Sequence, residues 1–147
     1  MMREYMAHTG AVVVAAIDAD GRLLLINQYR QPIGTRDWEL PAGLLDVDGE
    51  DRLAAAQREL AEEADLVATE WRELVSYHPT AGGSDERITI FEARGLAPAP
   101  DVHDRTDEEA EIVLRWEPLD AVLTAITEGR LHNGPLLLAA LMVHAGR

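Results

Sequence analysis

Residues 58–66, "RELAEEADL", set Glu59, Glu62 and Glu63 within little more than one helical turn, with Arg58 as the only cation in that stretch. In a helix, residues three or four apart are surface neighbours, and like charges at that spacing cost roughly 0.2–0.5 kcal/mol per pair. Such a face is either left to solvent or turned toward a cation. Leu53, Ala56, Leu60 and Ala64 recur at helical spacing and form an apolar stripe about 100° from the Glu59–Glu63 line. A helix over about 51–64 is therefore predicted, packed on one side and acidic beside it.

The flanking residues give this helix a direction. "DWELPAG" (37–43) reads as a short strand ended by Pro41 and Gly43, "LLDVDGE" as a loop, and Glu50 stands at the helix entrance. From Gly43 onward the stretch reads as a loop–helix unit aiming oxygens at one point. Upstream, the β-branched run "AVVVAAI" (11–17) stops at the turn signal "DADG", and "RLLLINQYR" (22–30) follows, which predicts a hairpin over 11–29. Further strands are expected at 71–78 and 87–94, flanking the glycine loop "PTAGGSDE", and at 111–118 after a polar loop over about 97–110. Two more helices are expected, over 119–129 with Gly129 as its stop and over 134–145 with Pro135 near its start. Strands and helices mix without regular alternation, so the expected fold class is α/β of the mixed α+β kind. It is one domain over 1–147, a mixed sheet with helices on both faces.

Composition narrows the chemistry. A net charge of −14 argues against duplex nucleic acid or a lipid headgroup surface as partner. It leaves room for a small phosphorylated ligand, which needs only a local cation. There is no cysteine, which removes thiol catalysis, disulfides and thiolate metal sites. All thirteen cations are arginines. The apolar runs at 11–17 and 136–143 are too short to span a bilayer, and "MMREYMAHTG" lacks a signal-peptide pattern, so a cytoplasmic protein is expected. The common phosphate-loop, dinucleotide, zinc-protease and serine-elbow motifs are missing, and the five histidines have no ligand spacing.

The acidic unit resembles the signature of the Nudix hydrolases, G-x5-E-x7-R-E-U-x-E-E-x-G-U with U a bulky aliphatic. Gly43, Glu50, Arg58, Glu59, Leu60, Glu62, Glu63 and Leu66 fill that pattern. There are two departures. The Gly43–Glu50 interval is one residue longer, as in the ADP-ribose pyrophosphatase branch, which "YRQPIGTRDWELPAGLLDVDGE" also resembles. Asp65 stands where the family has glycine, at a helix end where a left-handed residue is expected, and Asp tolerates that conformation better than most.

The resemblance implies a Nudix-type α/β/α sandwich and a Mg2+-dependent hydrolase, with Mn2+ as a possible substitute. Mg2+ favours oxygen ligands from a few carboxylates, water and substrate phosphates. By resemblance those ligands are Glu59, Glu63, the carbonyl of Ala42 and, in support, Glu62, while Arg58 orients the carboxylates. The general base is implied on a late loop, "DRTDEEAEI", at Glu109, with Glu108 as the neighbouring register. Arg30 and Arg36 are implied to hold phosphate or the terminal ribose, and Trp38 to border the nucleoside pocket. Glu39, a carboxylate within an apolar run, needs a partner and is implied in the pocket. Ser84 and Glu86 match a substrate loop of the branch, although Ala81 replaces its proline marker.

The expected substrate is a nucleoside diphosphate linked to another moiety, foremost ADP-ribose, giving AMP and ribose 5-phosphate. A nucleotide sugar, a dinucleotide and an oxidised nucleoside triphosphate are the alternatives within the fold. A non-catalytic ligand-sensing domain is the alternative outside enzymes, although such domains typically lose the acids retained here. Members of the branch carry an additional strand-rich segment ahead of the point where this chain begins, used in pairing subunits and closing the adenine site. A homodimer is therefore expected, its second subunit supplying a wall of the pocket.

Overall fold

A computed structural model describes residues 1–146, with the backbone alone at Asp107 and Glu108, and places "AVVVAA" as strand β1 (Ala11–Ala16) in the interior. β1 is apolar on both faces, and that property decides its neighbours. It runs parallel to β6 (Ile88–Pro98) and antiparallel to β4 (Ala42–Leu44), while β5 (Leu66–Tyr77) lies beyond β6, giving the order β4-β1-β6-β5. A strand in a parallel pair is normally covered on both sides. Val12, Val14 and Ala16 pack with Ala55, Ala56 and Leu60 of α1 (Arg52–Ala64). Val13 and Ala15 face the opposite way, toward α2 (Leu119–Thr127) and α3 (Gly134–Ala145), through Val122, Leu136 and Ala140. The result is an α/β/α sandwich around a mixed sheet, as the strand and helix pattern predicts.

β2 (Arg22–Arg30) departs from the expected 11–29 hairpin. The turn forms, with the Asp18 N–H donating to the Arg22 carbonyl at 3.0 Å and a single antiparallel bridge between Ile17 and Leu23. The strands then part. Because β1 is already flanked by β4 and β6, β2 joins a second, antiparallel sheet between β3 (Thr35–Glu39) and β7 (Val113–Pro118). Boundaries shift elsewhere for a similar reason. β5 starts at Leu66 and β6 continues to Pro98 because they pair along their whole length, from Leu66 opposite Pro98 to Tyr77 opposite Ile88. No described helix is long and apolar enough to cross a membrane.

α1 begins at Asp51, whose carboxylate accepts from the Ala54 N–H at 2.7 Å, a cap worth about 1 kcal/mol. Its buried face is Ala55, Ala56, Glu59, Leu60, Glu63 and Ala64, whereas Leu53 is 37% exposed. The expected stripe through Leu53 is thus corrected: packing against β1, β4 and β5 rotates the helix so that two acids share the buried face. Replacing the fully buried Leu60 with Ala should cost about 2–5 kcal/mol, and Leu53→Ala should stay within about 0.5 kcal/mol. Urea denaturation of the two variants measures the contrast, and equal losses would restore the original stripe.

Candidate active site

α1 presents Glu59 and Glu63 to the short strand β4, and both are buried, at 7% and 5% exposure. β4 comes this close because residue 43 has no side chain. A Cβ on Gly43 would lie 1.9 Å from Oε1 of Glu59, well inside van der Waals contact. The neighbouring Ala42 N–H donates to Glu63 Oε2 at 3.0 Å. The backbone of residues 42–43 and the two carboxylates therefore form one wall.

Arg58 gathers the remaining acids. Its Nε and Nη2 donate to the Glu50 carboxylate at 2.9 and 3.0 Å, and its Nη1 donates to Glu59 Oε1 at 2.8 Å and Glu62 Oε2 at 3.0 Å. These bonds, those to Glu50 foremost, raise the guanidinium pKa and keep it charged. One cation for this many carboxylates is not enough. Burial pushes Glu59 up to about 7 despite Arg58, with Glu62 and Glu109 adding to the rise. Burial pushes Glu63 up to about 8, against the Ala42 N–H and Arg30, with Glu59 and Glu109 again adding. The Glu109 carboxylate therefore lies within electrostatic reach of both, which ties the late loop to the acidic helix.

This donor set is all oxygen and short of positive charge, which fits a hard divalent cation. Among the described residues, no three carboxylates or imidazoles already converge at ligand spacing. Glu59, Glu62 and Glu63 could hold such an ion together with backbone oxygen and water.

The other candidate residues divide between the acidic centre and other contacts. Arg30 and Glu39 form a two-pronged pair, Nε to Oε2 at 2.8 Å and Nη2 to Oε1 at 2.9 Å, which supplies the partner that buried Glu39 requires. Arg36 donates to Asn27 Oδ1 at 2.6 Å and to the Glu111 carbonyl at 2.7 Å, so it binds β2 to the segment after Glu109. Trp38 packs on the α2 side, bordering a cavity of about 420 Å3 with Leu25, Arg115, Val122 and Leu131. Ser84 Oγ donates to the Met6 carbonyl at 2.9 Å, and Glu86 lies 3.5 Å from His8, so their contacts are with the N-terminal segment. The side chain of Glu108 lies outside the described residues.

Asp65 adopts the left-handed conformation expected of it, at φ 54° and ψ 38°. Its carboxylate also accepts from Arg105 Nη2 at 2.7 Å and from the His103 N–H at 3.2 Å. Arg105 and Asn27 are the residues that sequence reasoning missed. The signal available for Arg105 was indirect: a carboxylate at a position where glycine suffices invites a partner.

A raised carboxyl pKa means that the folded protein binds more protons than the unfolded chain between the ordinary value and the shifted one. For Glu63 that window runs from 4.5 to about 8. Metal-free protein should therefore lose stability as pH rises from about 5 to about 8, and a divalent cation should flatten the loss. Thermal melts across that range, with chelator and with Mg2+, check the sign. A chelated protein that gains stability over the window would contradict it.

The NUDIX domain family model matches residues 6–139. An ADP-ribose pyrophosphatase of Mycobacterium tuberculosis (strain ATCC 25618 / H37Rv) is 39% identical over 145 residues, which is 97% of this chain and 69% of that one. A methanol dehydrogenase activator of Bacillus methanolicus is 34% identical over 137 residues, 93% of this chain and 73% of that one. The crystal structure of an ADP compounds hydrolase superposes with a TM-score of 0.80 at 23% identity, covering 92% of this chain and 71% of that one, which matches the fold. With the family model spanning most of its length and its acidic helix built as described, the chain belongs to the Nudix family and is a Nudix hydrolase.

Proposed function

We propose that the protein hydrolyses the diphosphate bond of a nucleoside diphosphate linked to a second moiety, with ADP-ribose as the foremost substrate and AMP and ribose 5-phosphate as products. The observation that carries this reading is the Glu59–Glu63 pair, buried against the Ala42–Gly43 backbone with both carboxyls pushed up by burial, a donor set of oxygens short of positive charge. The 39% identical relative named ADP-ribose pyrophosphatase supports the choice of substrate.

In this reading Glu59, Glu63, the Ala42 carbonyl and Glu62 hold Mg2+, or Mn2+ in its place. When bound, the ion supplies Lewis-acid stabilisation of charge on the bridging diphosphate. The chain's own groups do the rest. Arg58 fixes the orientation of Glu50, Glu59 and Glu62 at once. Arg30, steadied by Glu39 and still 43% exposed along its side chain, meets a phosphate. Glu109 takes the proton from the water that attacks phosphorus, as the anhydride P–O bond breaks and the leaving phosphate departs. Trp38 borders the nucleoside, and Ser84 and Glu86 lie along the substrate loop. A net charge of −14 keeps polyanionic nucleic acid away. A homodimer whose second subunit supplies a wall of the pocket belongs to the same reading.

Hydrolysis of a panel of nucleoside diphosphate derivatives with Mg2+, with products identified by mass, tests the substrate; ADP-ribose should give the highest kcat/KM. Glu63→Gln should lower turnover by orders of magnitude with the fold intact. Glu109→Gln should lower kcat strongly and leave metal affinity nearly unchanged, because a base acts in the transition state. A crippled Glu108→Gln beside a normal Glu109→Gln would move the base by one residue. Light scattering at micromolar concentration, with KM followed across dilution, reads out the homodimer; a monomer with dilution-independent KM counts against it.

A further inference from the structure

Glu109 sits on a connection between β6 and β7 that Arg36, Asp65 and Arg105 attach to the rest of the fold. Beyond β6, the Ala99 N–H donates to the Asp65 carbonyl at 2.8 Å. The Asp65 carboxylate then accepts from the His103 N–H at 3.2 Å and from Arg105 Nη2 at 2.7 Å, and Arg105 Nε donates to the Glu62 carbonyl at 3.3 Å. Glu109 follows Arg105 by four residues, in a 3-10 turn over Asp107–Glu111 where its N–H donates to the Thr106 carbonyl at 3.1 Å. Just past it, Arg36 Nη2 holds the Glu111 carbonyl at 2.7 Å. The turn bearing Glu109 is thus fastened on one side to the C-terminal end of α1 and on the other to β3.

A left-handed helix cap is best made by glycine, which meets no steric cost there. Glycine at position 65 would keep the backbone bond to Ala99 and lose both carboxylate bonds to the connection. The side chain is therefore not needed to end the helix, and its partners all lie on the segment that leads to Glu109.

We propose that Asp65 is a positioning residue: through Arg105 and the His103 N–H it clamps the connection to α1 and so holds Glu109 at the Glu59–Glu63 pair, with Arg36 closing the other side. The proposal rests on Glu109 being the base. A base acts only from a narrow range of positions, so loosening its mount lowers the rate of the chemical step more than it weakens substrate binding.

The test uses the full chain with Mg2+ and ADP-ribose, or the best substrate of the panel. Asp65→Gly keeps the helix cap and removes the clamp, and Asp65→Asn keeps one acceptor and removes the charge. Asp65→Gly should lower kcat about tenfold or more with KM and metal affinity within about twofold, and Asp65→Asn should lie between it and the parent. Arg105→Gln should reproduce the loss, and Arg105→Lys should recover part of it. In a Glu109→Gln background, Asp65→Gly should have no further effect on kcat. Hydrogen exchange of the metal-free proteins should show faster exchange at 103–112 in Asp65→Gly, with α1 unchanged. Unaltered exchange at 103–112 overturns the clamp whatever Glu109 does. An equal fall in kcat with and without Glu109 overturns its action through Glu109. A fully active Glu109→Gln protein instead refutes the base assignment, a separate failure visible in that single variant.

Discussion

Two carboxylates held against a backbone out of water set the terms for the rest of this structure. Glu59 and Glu63 are buried on the inner face of α1, and the approach of β4 depends on Gly43 offering no Cβ to Glu59. Desolvating two like charges is unfavourable, and here the cost is met in part by Arg58 and the Ala42 N–H. What remains shows in the upward shift of both acids. The inner face of α1 is thereby left short of positive charge at the point where it packs on β4.

The central strand makes this possible. β1 is apolar on both faces and sits between β4 and β6, so it supports α1 on one side and the α2–α3 pair on the other. Because β1 also pairs with β4, the same strand that anchors the core positions Ala42 and Gly43 through the pairs Val13–Ala42 and Val12–Gly43. Core and site share one ladder. β2, released from β1 after a single bridge, carries Arg30 and Asn27 in a second sheet whose partner β3 brings Glu39 and Arg36.

Arginine serves the site in two ways. Arg58 spreads its donors over the carboxylates of the acidic centre and Arg30 grips Glu39 with two, a role suited to a planar fork that stays charged. Arg36 and Arg105 also direct donors to main-chain carbonyls, of Glu111 and Glu62, and so tie distant segments together, Arg105 binding the Asp65 carboxylate as well. A chain without lysine performs every such task with a guanidinium.

The sequence by itself determined the acidic helix, the glycine before it, the Glu50–Arg58 interval and the left-handed residue at position 65. The helix follows from spacing along the chain, and the other three from the resemblance to the Nudix signature, whose glycine position Asp65 occupies. Which face of α1 is buried was decided only by tertiary packing, since Leu53 fits the helical stripe yet lies outside the contact with β1, β4 and β5. The parting of β1 from β2 was likewise a matter of competition for edges, which no local pattern displays. The partners of Asp65 and Arg36 stand 40 and 75 residues away along the chain. Such pairs leave no period in the sequence, because their distance is set by how the sheets stack and not by the residues between them.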